Sequence, residues 1–229
     1  YRLQKIKLSK KIQTINQRLL QGCSSLTEIE IPEGVKSIGY AAFSYCNKLT
    51  TITLPASLTS LSGAALNGLS RLTEVKVADG NNSFKFENGI LLSKDGKTMY
   101  MALLTLTEIN VSNGVVSILG DSLIGSNATK IILPDTVSSN LSGMVFNGMN
   151  KLTKIELSST SKNLKLVDGN LYSYDGKRFI KYMGSSKNFT VPEGVETVVS
   201  YCITKSMTTL NLPSTLKVIE GYALINMSG

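Results

Sequence analysis

The stretch Leu26-Thr27-Glu28-Ile29-Glu30-Ile31-Pro32 returns 23 residues later as Leu49-Thr50-Thr51-Ile52-Thr53-Leu54-Pro55. Leu3, Leu26, Leu49 and Leu72 keep that spacing, and the series continues less regularly at Leu106, Ala128, Leu152, Ser186 and Met207. A fixed period of roughly 20–50 residues is the signature of a stacked-repeat architecture. The nine leading positions therefore predict nine rungs.

The same columns stay apolar from rung to rung. Ile6, Ile29, Ile52, Val75 and Ile109 form one, and Leu8, Ile31, Leu54, Val77 and Val111 follow two residues on. Spacing by two is what a strand with one buried face requires. Later columns run Ile15, Ile38, Leu61 and Ile118, then Leu20, Phe43, Leu66 and Leu123. One rung cannot bury such a set alone, whereas stacked rungs turn each column into a ladder within a continuous core.

A second period of 80 residues relates Leu72 to Leu152, and Gly34 to Gly114 and Gly194. The rungs beginning at these two leucines, 72–105 and 152–185, are long. Their extra residues hold Asn88-Gly89 then Asp95-Gly96 in one, and Asp168-Gly169 then Asp175-Gly176 in the other. Asn-Gly and Asp-Gly supply the positive φ angles of tight hairpin turns, so two β-hairpin inserts are expected. Ile90 to Ser93 and Asn170 to Ser173 are the strands predicted between those turns.

The pattern from Leu26 to Cys46, LTEIEIPEGVKSIGYAAFSYC, resembles the BspA-like leucine-rich repeats of microbial surface proteins. The inserted FENGILLSKDGKTMYMAL, Phe86 to Leu103, is similar to that family's hairpin motif. The likeness covers essentially the whole chain and departs where Ala128 and Ser186 replace the leading leucine, and Ser112 and Ser158 the strand-ending proline. It implies a right-handed, β-rich α/β leucine-rich-repeat solenoid. One face would carry a parallel sheet of short strands, with short strands, turns or short helices behind. Residues 1–229 form one repeat domain in this reading. The resemblance further implies an exported or cell-surface protein that adheres to host or neighbouring-cell macromolecules.

Composition narrows the chemistry. The 229 residues include no histidine, which removes Ser-His-Asp and Cys-His nucleophilic sites and histidine zinc sites. No apolar run approaches the about 18 residues that span a bilayer. No cofactor, metal or catalytic set is expected. The 24 Lys+Arg exceed the 16 Asp+Glu, and residues 1–25 carry Arg2, Lys5, Lys7, Lys10, Lys11 and Arg18 without an acid. Such an end can attract an anionic surface or glycan. Nucleic acid fits poorly, since nothing marks a groove-reading helix or an aromatic-basic single-strand platform. The chain opens Tyr1-Arg2-Leu3 with no initiator Met, and the rung expected after Met207 would start just past Gly229, so it reads as a piece of a longer array.

Two surfaces could bind a partner. Residues alternating with the buried column point outward, and Lys5, Lys7, Glu28, Glu30, Glu74 and Lys76 are its candidate contacts. Lys7 beside Glu30 also fits an ordinary cross-strand pair. The inserts offer Tyr100, Tyr172 and Tyr174 as aromatic anchors, or else those rings seal the inserts onto the solenoid. The expected partner is an extracellular protein or glycan. The alternative is a spacer whose rungs hold another domain away from the cell. Cys23 and Cys46 share a column, as two buried thiols or an inter-rung disulfide, and Cys202 has no sequence partner.

Overall fold

The structure, a computed structural model, describes residues 2–225. Alternation puts one side chain of each leading strand inside and its neighbours outside. Nine such strands form, at Lys5–Lys7, Glu28–Glu30, Thr51–Leu54, Glu74–Val77, Glu108–Asn110, Lys130–Leu133, Lys154–Leu157, Asn188–Thr190 and Thr209–Asn211. They lie side by side as a front ladder whose pairings are all parallel, with Ile6 opposite Ile29, Ile52 opposite Val75 and Ile131 opposite Ile155. Pairing register and sequence period coincide, so each predicted column is a physical stack. The fold is a parallel β-solenoid of about nine turns.

A second ladder runs behind the first. Thr14–Ile15, Ser37–Ile38 and Ser60–Leu61 pair in parallel, as do Thr197–Val198 and Val218–Ile219. The core fills the gap between the ladders, where Leu26, Leu49, Leu72 and Ile109 are wholly buried. Burying such a side chain stabilises by about 1.5–3 kcal/mol. In the first and last described rungs Leu3, Leu212, Val218 and Ile219 are exposed, whereas Leu8 is buried.

Helix is nearly absent. Of the short strands, turns or short helices expected behind the sheet, strands and turns form, and helix reduces, among the described residues, to one 3-10 turn, Gly143–Phe146, capped by the Ser142 hydroxyl accepting from the Met144 N–H. The reason lies in where the backbone bonds go. In the return segments, Leu20 N–H donates to Ala42, Gly22 to Ser44, Phe43 to Ala65 and Tyr45 to Asn67, each in the next rung. Lateral bonds satisfy the groups that an α-helix would pair along its own axis.

Each insert is a three-stranded antiparallel unit. The first comprises Phe84–Glu87, Ile90–Ser93 and Thr98–Ala102; the second comprises Leu164–Val167, Asn170–Ser173 and Arg178–Lys181. Asn88 and Gly89, with φ of 52° and 77°, and Asp168 and Gly169, with 49° and 76°, make the tight turns. The following turns are closed identically: Asp95 Oδ1 accepts from the Ser93 hydroxyl at 2.6 Å and Lys97 N–H at 3.0 Å, and Asp175 does so from Ser173 and Lys177. These bonds hold both carboxylates below the ordinary Asp range. The third strand of each insert enters the second ladder, pairing Thr98 with Ser117 and Arg178 with Thr197. The inserts are thus part of the wall.

From that strand each long rung turns back to the front within a few residues, so the return turns on either side of it close up. A Cβ at Gly63 would stand 3.0 Å from Leu119, and one at Gly143 would run into the Ser200 carbonyl oxygen.

Candidate functional site

The front ladder sets its exposed side chains by register. Lys5 faces Glu28 and Lys7 faces Glu30 across the first two strands. Lys5 Nζ meets Glu28 Oε1 at 2.7 Å, whereas Lys7 and Glu30 form no ion pair among the described residues. These four residues line a shallow depression of about 500 Å³ on the outer face, while the Ile6 and Ile29 side chains between them turn into the core. Glu74 and Lys76 lie two rungs on and pair within their own strand at 3.6 Å. The six sheet candidates therefore separate into a cluster of four and an adjacent pair.

Farther along, the charges satisfy one another. Lys130 sits between Glu108 at 2.9 Å and Glu156 at 3.6 Å, and Lys154 meets Glu156 at 2.6 Å. The hydrogen bond to Glu108 raises the Lys130 pKa, and the bond from Lys154 lowers that of Glu156. The final two strands present amides and hydroxyls, with Asn211 Nδ2 donating to Thr190 Oγ1 at 3.1 Å. Charge left free for a partner on this face thus gathers at Lys7 and Glu30.

The insert tyrosines divide. Tyr172 is 3% exposed, its ring stacked on Phe179 with centroids 4.7 Å apart, and burial pushes its phenol far above the ordinary range. This corrects its placement as an outward anchor: its strand lies inside a five-stranded sheet, and all four residues Asn170–Ser173 are buried. Tyr100 is half-buried, edge-on to Phe84 at 5.2 Å. Tyr174 alone of the three is well exposed, at 56%.

The sequence reading missed another aromatic group. Tyr40, Tyr45 and Tyr222 are exposed on the return turns, Tyr201 stacks on Tyr222 at 5.6 Å, and the Arg18 guanidinium lies 5.8 Å from the Tyr40 ring centre. Tyr45, Tyr201 and Tyr222 have positive φ, conformations set by the turns they occupy. The available signal was a tyrosine standing where other rungs carry Gly or Ala: Tyr40 corresponds to Gly63, and Tyr201 to the Ala41 and Ala64 column.

All three cysteines are free and buried, so Cys23 and Cys46 form no disulfide. The Cys46 thiol donates to the Leu20 carbonyl at 3.1 Å, and burial raises its pKa to about 11. No group of three or more His, Cys, Asp or Glu residues that could hold a metal occurs among the described residues. No helix there is long and apolar enough to cross a membrane.

Comparison with known proteins follows this geometry. The family described as BspA type leucine-rich repeat region matches the sequence in six copies, over residues 1–90 and 175–228. The pneumococcal vaccine antigen PcpA aligns with a TM-score of 0.54 at 19% identity, over 91% of this chain and 60% of that one. A leucine-rich repeat protein from Eubacterium ventriosum gives 0.49 at 13% identity, covering 95% and 81%. A leucine-rich cell surface protein from Faecalibacterium prausnitzii gives 0.45 at 18%, covering 94% and 56%. This chain thus spans 60% of the length of the pneumococcal protein. No curated protein matches the sequence.

Proposed function

The chain belongs to the BspA-type leucine-rich repeat family, and from that premise we propose that it is a non-enzymatic binding module, displayed on or secreted from a cell, that adheres to an extracellular protein or glycan through its front sheet. The observation that carries the reading is the depression around Lys5, Lys7, Glu28 and Glu30. There a free positive and a free negative charge stand opposite each other on adjacent strands, outward from the buried Ile6 and Ile29 column. Repeat proteins commonly use such extended faces for macromolecular partners. Opposed charges on an exposed face favour a protein segment of complementary charge. Glu74 and Lys76 extend the contact along the ladder. On the insert side, Tyr174 is the exposed aromatic that a large partner could also reach, with Tyr100 at its margin.

The spacer reading draws on a different observation. The Lys130, Glu108, Glu156 and Lys154 network is closed upon itself and leaves little to attract a ligand. The two readings separate by surface-plasmon binding of the chain to extracellular-matrix proteins and sulfated glycosaminoglycans at physiological salt. A binding module captures one panel member saturably, and charge reversal by Lys7→Glu or Glu30→Lys weakens it about 10–100-fold. A spacer captures none. Binding that both reversals leave unchanged would remove this face from the proposal.

A further inference from the structure

Lys181 is 6% exposed and has no carboxylate partner among the described residues. Its amine donates to Thr204 Oγ1 at 3.0 Å and to the Tyr201 carbonyl at 3.3 Å, both uncharged acceptors. It lines a cavity of about 330 Å³ together with Lys205, Thr204, Asn147, Asn150 and Tyr182, and among the described residues no acidic side chain contributes to the wall. Lys205 is fixed at the rim by the Met183 and Gly184 carbonyls, at 3.4 and 2.9 Å.

The fold does not require a lysine at this position. The first insert places Met101 opposite Leu91, and the second places Lys181 opposite Leu171, so the two are equivalent across the 80-residue period. Met101 is buried to the same degree, which shows that a plain apolar side chain completes this wall. A buried cation with only neutral partners is unfavourable unless something supplies negative charge.

We propose that this cavity is an anion site in which Lys181 and Lys205, aided by Thr204 and the amide of Asn150, bind a tetrahedral oxyanion, a sulfate or phosphate group; the Asn147 amide is engaged by the Asp121 carboxylate. Two ammonium groups match the double charge of such an anion, and the Thr204 hydroxyl and Asn150 amide can donate to its remaining oxygens. The site lies apart from the front-sheet depression and stands or falls independently of it.

Binding at this site depends on pH. Desolvation is the main effect lowering the Lys181 pKa, to about 8; Lys205 lowers it further, and Cys202 opposes the shift. Burial keeps the Cys202 thiol protonated well above that range, and it also raises the Tyr182 pKa. Lys181 therefore loses its charge as pH rises through about 8, and the anion needs it charged. Sulfate keeps its own charge throughout this range, so it isolates the protein's titration.

The test is calorimetric titration of the full chain with sodium sulfate and, separately, sodium phosphate and sodium acetate, at constant ionic strength. Saturable one-site binding of sulfate or phosphate at millimolar concentration is expected at pH 7. Sulfate affinity falls about tenfold by pH 9, where a group of pKa about 8 is roughly one-tenth charged. Lys181→Met abolishes binding while circular dichroism and melting show an intact fold, as the Met101 packing predicts. Lys205→Met weakens it. The tighter of the sulfate and phosphate arms identifies which source of the oxyanion the site prefers. Binding of neither ion, binding of acetate alone, or undiminished binding by folded Lys181→Met would overturn the assignment.

Discussion

Lys181→Met alters stability in opposite directions at neutral and alkaline pH. Burial lowers the pKa of this lysine from 10.5 to about 8, so the unfolded chain binds a proton more readily than the folded one. The native state is penalised below pH 8 by about 3 kcal/mol, at about 1.4 kcal/mol per pKa unit. That penalty is relieved as pH rises through the window from about 8 to 10.5. Methionine avoids it at every pH. Its substitution also deprives Thr204 Oγ1 and the Tyr201 carbonyl of a donor, which costs about 1–2 kcal/mol. The variant is therefore expected to be about 1–2 kcal/mol more stable than the parent at pH 7 and less stable above pH 10.5. Urea unfolding of both proteins across this range, in buffer without sulfate or phosphate, measures the difference directly. A difference that stays flat with pH would mean that the lysine is solvated as an ordinary surface residue.

Gly143→Ala is expected to destabilise the chain by about 3 kcal/mol, at the upper end of ordinary overpacking costs. The added Cβ meets the Ser200 carbonyl oxygen and lies 3.2 Å from Val199 Cγ2. Ser200 follows the second-ladder strand Thr197–Val198, whose pairing on both sides leaves its backbone little room to withdraw. For a chain of this size the loss lowers the melting temperature by about 6–12 °C. Gly221 supplies the control. It occupies the same column in the last described rung, and among the described residues a Cβ there meets nothing within 4 Å. Gly221→Ala should leave stability within about 0.5 kcal/mol of the parent. Equal melting temperatures for the two variants would refute the close approach of the return turns.

Much of the fold was legible because its information is periodic. The 23-residue recurrence already tells which residues share a column, and parallel pairing converts columns into stacks without knowledge of anything distant. The insert turns were equally local, since Asn88-Gly89 and Asp168-Gly169 dictate their own backbone angles. Lys5, Lys7, Glu28 and Glu30 came together for the same reason: neighbours in a parallel ladder are neighbours in the alignment of repeats.

The inserts defeated that reasoning where alternation ceased to separate inside from outside. Asn170–Ser173 is covered on both faces, so Tyr172 is buried beside residues of the opposite parity. Whether strands, turns or short helices would stand behind the sheet depended on where the return-turn backbone bonds would go, and neighbouring rungs claimed them laterally.

By itself, then, the sequence determined the solenoid, its nine rungs, the front columns and the paired inserts, because each follows from a short-range pattern repeated along the chain. Only the tertiary structure decided which insert aromatics are buried and how the return turns close over the long rungs. It alone placed Lys181 in a cavity without an acid. Those outcomes depend on the surroundings of each side chain, and residues distant in sequence supply them.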